Sequence, residues 1–183
     1  MRAIALIFFI NWLLLVQCSS GAGDSNSTQS NTDEAKCHID PRVSMLRCVS
    51  VPLARIEEAL TQWNLTSITR LEITRGTTKS IDALLTGGGN VIDDQNVLVM
   101  REISIINSGL RDLGEQSLDG FDFNELESID LSWNELKSVP QVVLRLGKLR
   151  HLDLSHNKIF SLPPGSSFNH LNALATLKLS GNK

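Results

Sequence analysis

Three stretches of this 183-residue chain superpose on one template: Leu126-x-x-Ile129-x-Leu131-x-x-Asn134-x-Leu136, Leu149-x-x-Leu152-x-Leu154-x-x-Asn157-x-Ile159, and Leu174-x-x-Leu177-x-Leu179-x-x-Asn182. Their starts lie 23 and 25 residues apart. Self-similarity at such a period marks an array of like turns. Within each copy the pairs Ile129/Leu131, Leu152/Leu154 and Leu177/Leu179 alternate with the two-residue period of a half-buried strand, apolar side chains inward. A single turn cannot hide that face. Stacked turns bury one another's leucines in a continuous core, so the pattern has physical meaning only as an array.

On these residues the chain resembles the extracellular leucine-rich-repeat family, whose turns run to about 24 residues and carry the Leu-Pro ending found at Leu162-Pro163. Going backward, Met100-x-x-Ile103-x-Ile105-x-x-Ser108-x-Leu110 fits with Ser108 in the asparagine column, and a fainter copy, Ile68-x-x-Leu71-x-Ile73, places Gly76 there. The resemblance implies an α/β solenoid with a parallel concave sheet and short helical or irregular convex segments. It also implies that Asn134, Asn157 and Asn182 point inward as a ladder, since buried amides are tolerated only with hydrogen-bond partners. The apolar pairs Phe121/Phe123, Val143/Leu146 and Phe168/Leu171 supply the return path between strands. Residues 68–183 are read as the repeats, about five strand turns. The last clear strand is followed only by Ser180-Gly181-Asn182-Lys183, which leaves its leucines facing water and points to a piece of a longer protein.

The chain opens with Arg2 and an apolar run from Ala3 to Val16, followed by the small residues Ser19 and Ser20. That pattern reads as a signal peptide over residues 1–20, too short for a membrane span. Leu15-Val16-Gln17-Cys18 also resembles a lipoprotein box, from which Gln17 departs. Residues 21–36 are small, polar or charged and read as a disordered tether. Removal of the leader takes Cys18 with it and leaves Cys37 and Cys48, which in an oxidising compartment most simply pair. They bracket a turn at Asp40-Pro41, giving a cap over residues 37–67 that resembles the cysteine-bearing caps of this family, although many of those have four cysteines. Leu53 to Trp63 has helical spacing, and the glycine tract Gly87-Gly88-Gly89 reads as a surface loop. Asn26 and Asn64 stand in glycosylation sequons.

With the inward positions occupied by core, recognition falls to the outward strand residues and the turn after them. By resemblance that concave surface binds partners. The candidate partner-binding residues there are Arg75 and the less generic Ile106, Trp133, His151 and His156, with Ser132 and Ser155 also read as outward. Exposed aromatics are enriched at binding hot spots, against which stands packing on a neighbouring turn. His151, Asp153 and His156 invite a zinc reading, but a site requires three ligands converging at about 2 Å. No spaced nucleophile–base motif is present, and neither catalysis, a cofactor nor a metal is implied. A net charge of −3 shows no strong basic bias, which argues against nucleic acid while leaving local basic patches open. The expected partner is an extracellular protein, met either by a secreted binding module or by the N-terminal ectodomain of a single-pass receptor resembling the Toll-like group. A non-catalytic domain of a secreted enzyme is the remaining alternative.

Overall fold

The computed structural model describes residues 36–52, 56, 68–77, 80–81, 98–115, 117 and 121–183. Its strands in chain order are β1 (Lys36–Asp40), β2 (Met45–Val49), β3 (Arg70–Thr74), β4 (Ser80–Ile81), β5 (Leu98–Val99), β6 (Glu102–Ile106), β7 (Asp112–Leu113), β8 (Phe121–Asp122), β9 (Ser128–Asp130), β10 (His151–Asp153) and β11 (Thr176–Lys178). Seven of them form one sheet in the order β1-β2-β3-β6-β9-β10-β11. Only β1 and β2 are antiparallel; every later pair is parallel. Two short parallel ladders, β4-β7 and β5-β8, lie outside that sheet. Among the described residues the result is a solenoid of stacked parallel strands with little helix.

Register explains the core. Leu71, Ile103, Ile129, Leu152 and Leu177 fall in one column across the sheet, and Ile73 and Ile105 pair in the next inward column. From Leu71 to Leu154 these side chains are at most 3% exposed. Each such burial is worth about 1.5–3 kcal/mol against exposure. The first turn is contributed by the cap. Cys48 pairs in register with Ile73 and Leu46 with Leu71, so the cap strand supplies both inward columns, and both residues are completely buried.

The cap is a hairpin whose register sets Cys37 opposite Cys48, and their sulfurs are 2.02 Å apart. Asp40 accepts a hydrogen bond from the Arg42 amide at 3.0 Å, which starts the turn around Pro41. Of the helical reading over Leu53 to Trp63, only Ile56 is described; it is helical and buried. The leader, the tether apart from Lys36, Asn26, Asn64 and the Gly87-Gly88-Gly89 loop lie outside the described residues.

On the return path the chain forms 3-10 turns at Phe123–Glu125, Gln141–Arg145 and Gly165–Phe168. Val143 and Leu146 are buried, as is Leu171, while Phe168 is partly buried against the core. On the flank of the last turn, by contrast, Phe160, Leu162 and Leu177 are exposed.

Candidate functional site

The asparagine column determines where the outward residues go. Asn134 Nδ2 donates to the carbonyls of Ile105 (2.6 Å), Leu131 (3.0 Å) and Ser132 (3.2 Å), while its Oδ1 accepts from the amides of Ser108 (3.0 Å) and Leu110 (3.1 Å). Asn157 repeats the arrangement one turn on, donating to Leu131 (2.9 Å), Leu154 (3.1 Å) and Ser155 (3.2 Å) and accepting from Leu136 (3.1 Å). Asn182 donates to Leu154 and Leu179 and accepts from Ile159. Ser108, in the same column, accepts from the Gly76 amide through Oγ at 3.0 Å and donates to Ile106 O. A Cβ at Gly76 would sit 3.3 Å from that oxygen, so the missing side chain lets the serine reach the backbone. Each amide thus satisfies carbonyls in its own turn and in the one before.

The residue ahead of each ladder position has to turn sharply so that the ladder side chain can face inward. Ser50, Arg75, Asn107, Trp133, His156 and Gly181 all have left-handed backbone, with φ between 51° and 71°. Their amides are bonded in series. Ser50 donates to Thr74 O, Arg75 to Ile106 O, Asn107 to Ser132 O, Trp133 to Ser155 O and His156 to Ser180 O. These residues form a second, outward column along one rim of the concave sheet. Ser50 extends it into the cap. The sequence reading missed that extension because Val51, not asparagine, occupies the cap's ladder position.

Trp133 is 57% exposed and His156 is exposed too. Their rings stack with centroids 3.9 Å apart and planes inclined by 13°. Arg75 is exposed on the same column, and Ile106, just ahead of Asn107, is half-buried. His151 lies at the start of β10, exposed and apart from this column. Two residues read as outward are not: Ser132 and Ser155 are 8% and 6% exposed. Their amides bond back to Oδ1 of Asp130 and Asp153, each at 2.9 Å, which folds them under the turn.

On the strand face, ion pairs link successive turns. Arg47 meets Glu72 at 2.9 Å, Arg70 meets Glu102 at 3.2 Å, and Lys178 meets Asp153 at 3.0 Å. Partial burial pushes the Asp153 pKa up, but hydrogen bonds from Ser155 and Lys178 outweigh it and leave the carboxyl below its ordinary value. The hydrogen bond to Asp153 raises Lys178 in turn. On the turn beyond the rim, Glu135 sits between Lys158 (2.9 Å) and Arg111 (2.7 Å), and hydrogen bonds from Lys158 and then Arg111 lower its pKa to about 2.

Among the described residues, no group of three or more His, Cys, Asp or Glu side chains converges as a metal site. A shallow cleft of about 210 Å³ is lined by Ile159, Phe160, Leu162, Leu179 and Asn182 together with Ser161 and Lys183, and contains no acid–base pair. No described helix is long and apolar enough to cross a membrane.

Comparison with known proteins agrees with this geometry. The family model for the leucine rich repeat matches residues 100–159 and again 124–183. Toll-like receptor 10 of Bos taurus is 44% identical over 70 residues, a stretch covering 38% of this chain and 8% of the receptor. The ladder, the register and the matched spans agree: residues 100–183 are an array of leucine-rich repeats.

Proposed function

We propose that this chain is an extracellular protein-recognition module whose contact surface is the left-handed rim around Trp133 and His156, with Arg75, Ile106 and His151 as flanking contributors. The observation carrying this reading is the exposed ring of Trp133. The ladder imposes the left-handed backbone on every rim residue, whatever its side chain, and at this position it carries an indole that is 57% exposed and stacked on His156. Large exposed aromatics are enriched at binding hot spots. An exposed tryptophan with its ring fixed by stacking also loses little entropy on binding.

The Cys37–Cys48 bond supports an oxidising, extracellular setting, in which Asn26 and Asn64 are glycan acceptors. The leader over residues 1–20 is then a signal peptide. Recognition rather than catalysis fits the side chains at hand. Ser155 is buried and accepts from the Ser180 hydroxyl, and Asp153 is held by Lys178, so neither is available as nucleophile or base.

A second reading, the N-terminal part of a single-pass receptor ectodomain, draws on the likeness to a Toll-like receptor, of which this chain matches only 8%. A transcript running past Lys183 into an apolar stretch of about 20 residues would select it. For the recognition surface itself, a photo-crosslinking amino acid at position 133, displayed on live cells, should yield a discrete covalent protein adduct. The same probe at Lys148, on the opposite return path, should not. Equal labelling from both positions rejects the rim.

A further inference from the structure

Trp133 and His156 stand next to each other on the rim, but their rings are not equally available. Backbone bonding orders the rim Arg75, Asn107, Trp133, His156, Gly181, so the imidazole has the indole on one side and the Gly181 turn on the other. A Cβ built on Gly181 would lie 2.5 Å from Nδ1 of His156, 2.9 Å from Cε1 and 3.1 Å from Cγ. Three successive ring atoms at such similar distances belong to a point above the face of the ring; a point beyond its edge at Nδ1 would lie clearly farther from both carbons. The other face is covered by the indole, with centroids 3.9 Å apart and planes inclined by 13°. Both faces of His156 are therefore occupied within the chain, and the ring meets solvent by its edge. Trp133 is different. One face of its indole is taken by His156, yet the residue is 57% exposed. The open face is the one turned toward Asn107. Asn107 is short and itself exposed, and Gly109, two residues on, has nothing within 4 Å of where a Cβ would stand. Neither carries a side chain large enough to cover an indole.

We infer that His156 is a positioning residue: seated on the bare Gly181, it holds the Trp133 indole in one orientation, and the protein partner is met by the open, Asn107-side face of that indole. This rests on the recognition reading given above and divides its two central residues into one that touches the partner and one that acts through it. An indole held before the encounter loses less rotamer freedom on binding than one free to turn. Stacking carries the role, so another flat ring at position 156 can fill it, whereas a side chain without a ring cannot. Gly181 is part of the device because a Cβ there would occupy the space of the imidazole.

A photo-crosslinking amino acid at Asn107, in the full chain displayed on live cells, leaves Trp133 in place and probes the open face. The protein captured from position 133 should be captured from 107 as well, several-fold more strongly than from a probe at Lys183, which lies on the Gly181 side of the stack. With the probe at 107, Trp133→Ala should lower the yield about tenfold. His156→Asn, which keeps a residue tolerant of left-handed backbone but removes the ring, should lower it several-fold, and His156→Phe should keep it at the native level. In chain carrying 5-fluorotryptophan, the Trp133 fluorine resonance, identified by its loss in Trp133→Phe, should be one sharp line in the native chain and in His156→Phe, and should shift and broaden in His156→Asn. Melting curves check that each variant is folded. A His156→Phe chain that binds as poorly as His156→Asn means that the imidazole itself touches the partner, and the positioning role falls. Native yield from His156→Asn, or labelling at 183 as strong as at 107, overturns the inference too; in all three cases capture at position 133 leaves the recognition reading standing. If neither 133 nor 107 captures a protein, both fall.

Discussion

The imidazole of His156 lies directly above Gly181: a Cβ added to the glycine would sit 2.5 Å from Nδ1 and 2.9 Å from Cε1. With Trp133 stacked on the same ring, His156 is held between an indole and a bare backbone. Gly181 also has φ 71°, so a side chain there is strained as well as obstructed. We expect Gly181→Ala to tilt the imidazole off Trp133, visible as altered near-ultraviolet circular dichroism, and to cost about 1–2 kcal/mol of stability for the left-handed alanine. Unchanged spectra would show that the ring has room to move.

Asn157→Asp should be among the most damaging single-atom changes in the molecule. Nδ2 of Asn157 donates to three carbonyls, of Leu131, Leu154 and Ser155, and a carboxylate would turn that donor into a buried acceptor facing acceptors. The expected loss is at least about 2–3 kcal/mol in urea denaturation. Because protonation restores one donor, the deficit should shrink in acid.

The cap disulfide closes a loop with a sequence separation of 11. Peptide mapping without reduction should recover Cys37 and Cys48 linked. Replacing Cys37 by Ser should cost about 2–3 kcal/mol, and the loss should be greatest in the first turns because Cys48 also serves as an inward core residue.

Glu135 sets a pH window. Hydrogen bonds from Lys158 and Arg111 lower its folded pKa to about 2 from an ordinary 4.5. A depressed carboxyl pKa adds stability that is present above the unfolded value and is lost as pH falls through the folded one. The melting temperature should therefore drop between about pH 4.5 and 2 more steeply for the native chain than for Glu135→Gln. Parallel acid limbs would mean that the two cations contribute nothing at Glu135.

The repeat architecture was legible because leucine spacing is a direct record of which side chains face inward, as Leu152/Leu154 and Asn157 illustrate. The cap's part in the sheet was harder to read. Cys48 fills an inward column through its size and burial, not through a leucine that a template would match. Ser132 and Ser155 were misplaced for a related reason. Period-two alternation ends where the strand ends, and the Asp130 and Asp153 side chains then draw the next amides into a turn. Trp133 and His156 could be placed in one column from the sequence, but not their ring geometry, which depends on left-handed backbone and on the bare Gly181 beneath.

The central claim is that the Trp133–His156 rim serves contact and not folding. The most direct measurement compares Trp133→Ala/His156→Ala with the native chain in two assays: thermal melting, and binding to the protein crosslinked through position 133. Both residues emerge outward while Asn134 and Asn157 hold the turns, so the double variant should melt within a few degrees of the native chain, consistent with a surface change of about 1 kcal/mol or less, and bind at least about tenfold more weakly. A double variant that melts as early as Asn157→Asp, or one that melts normally and binds with native affinity, would contradict the account.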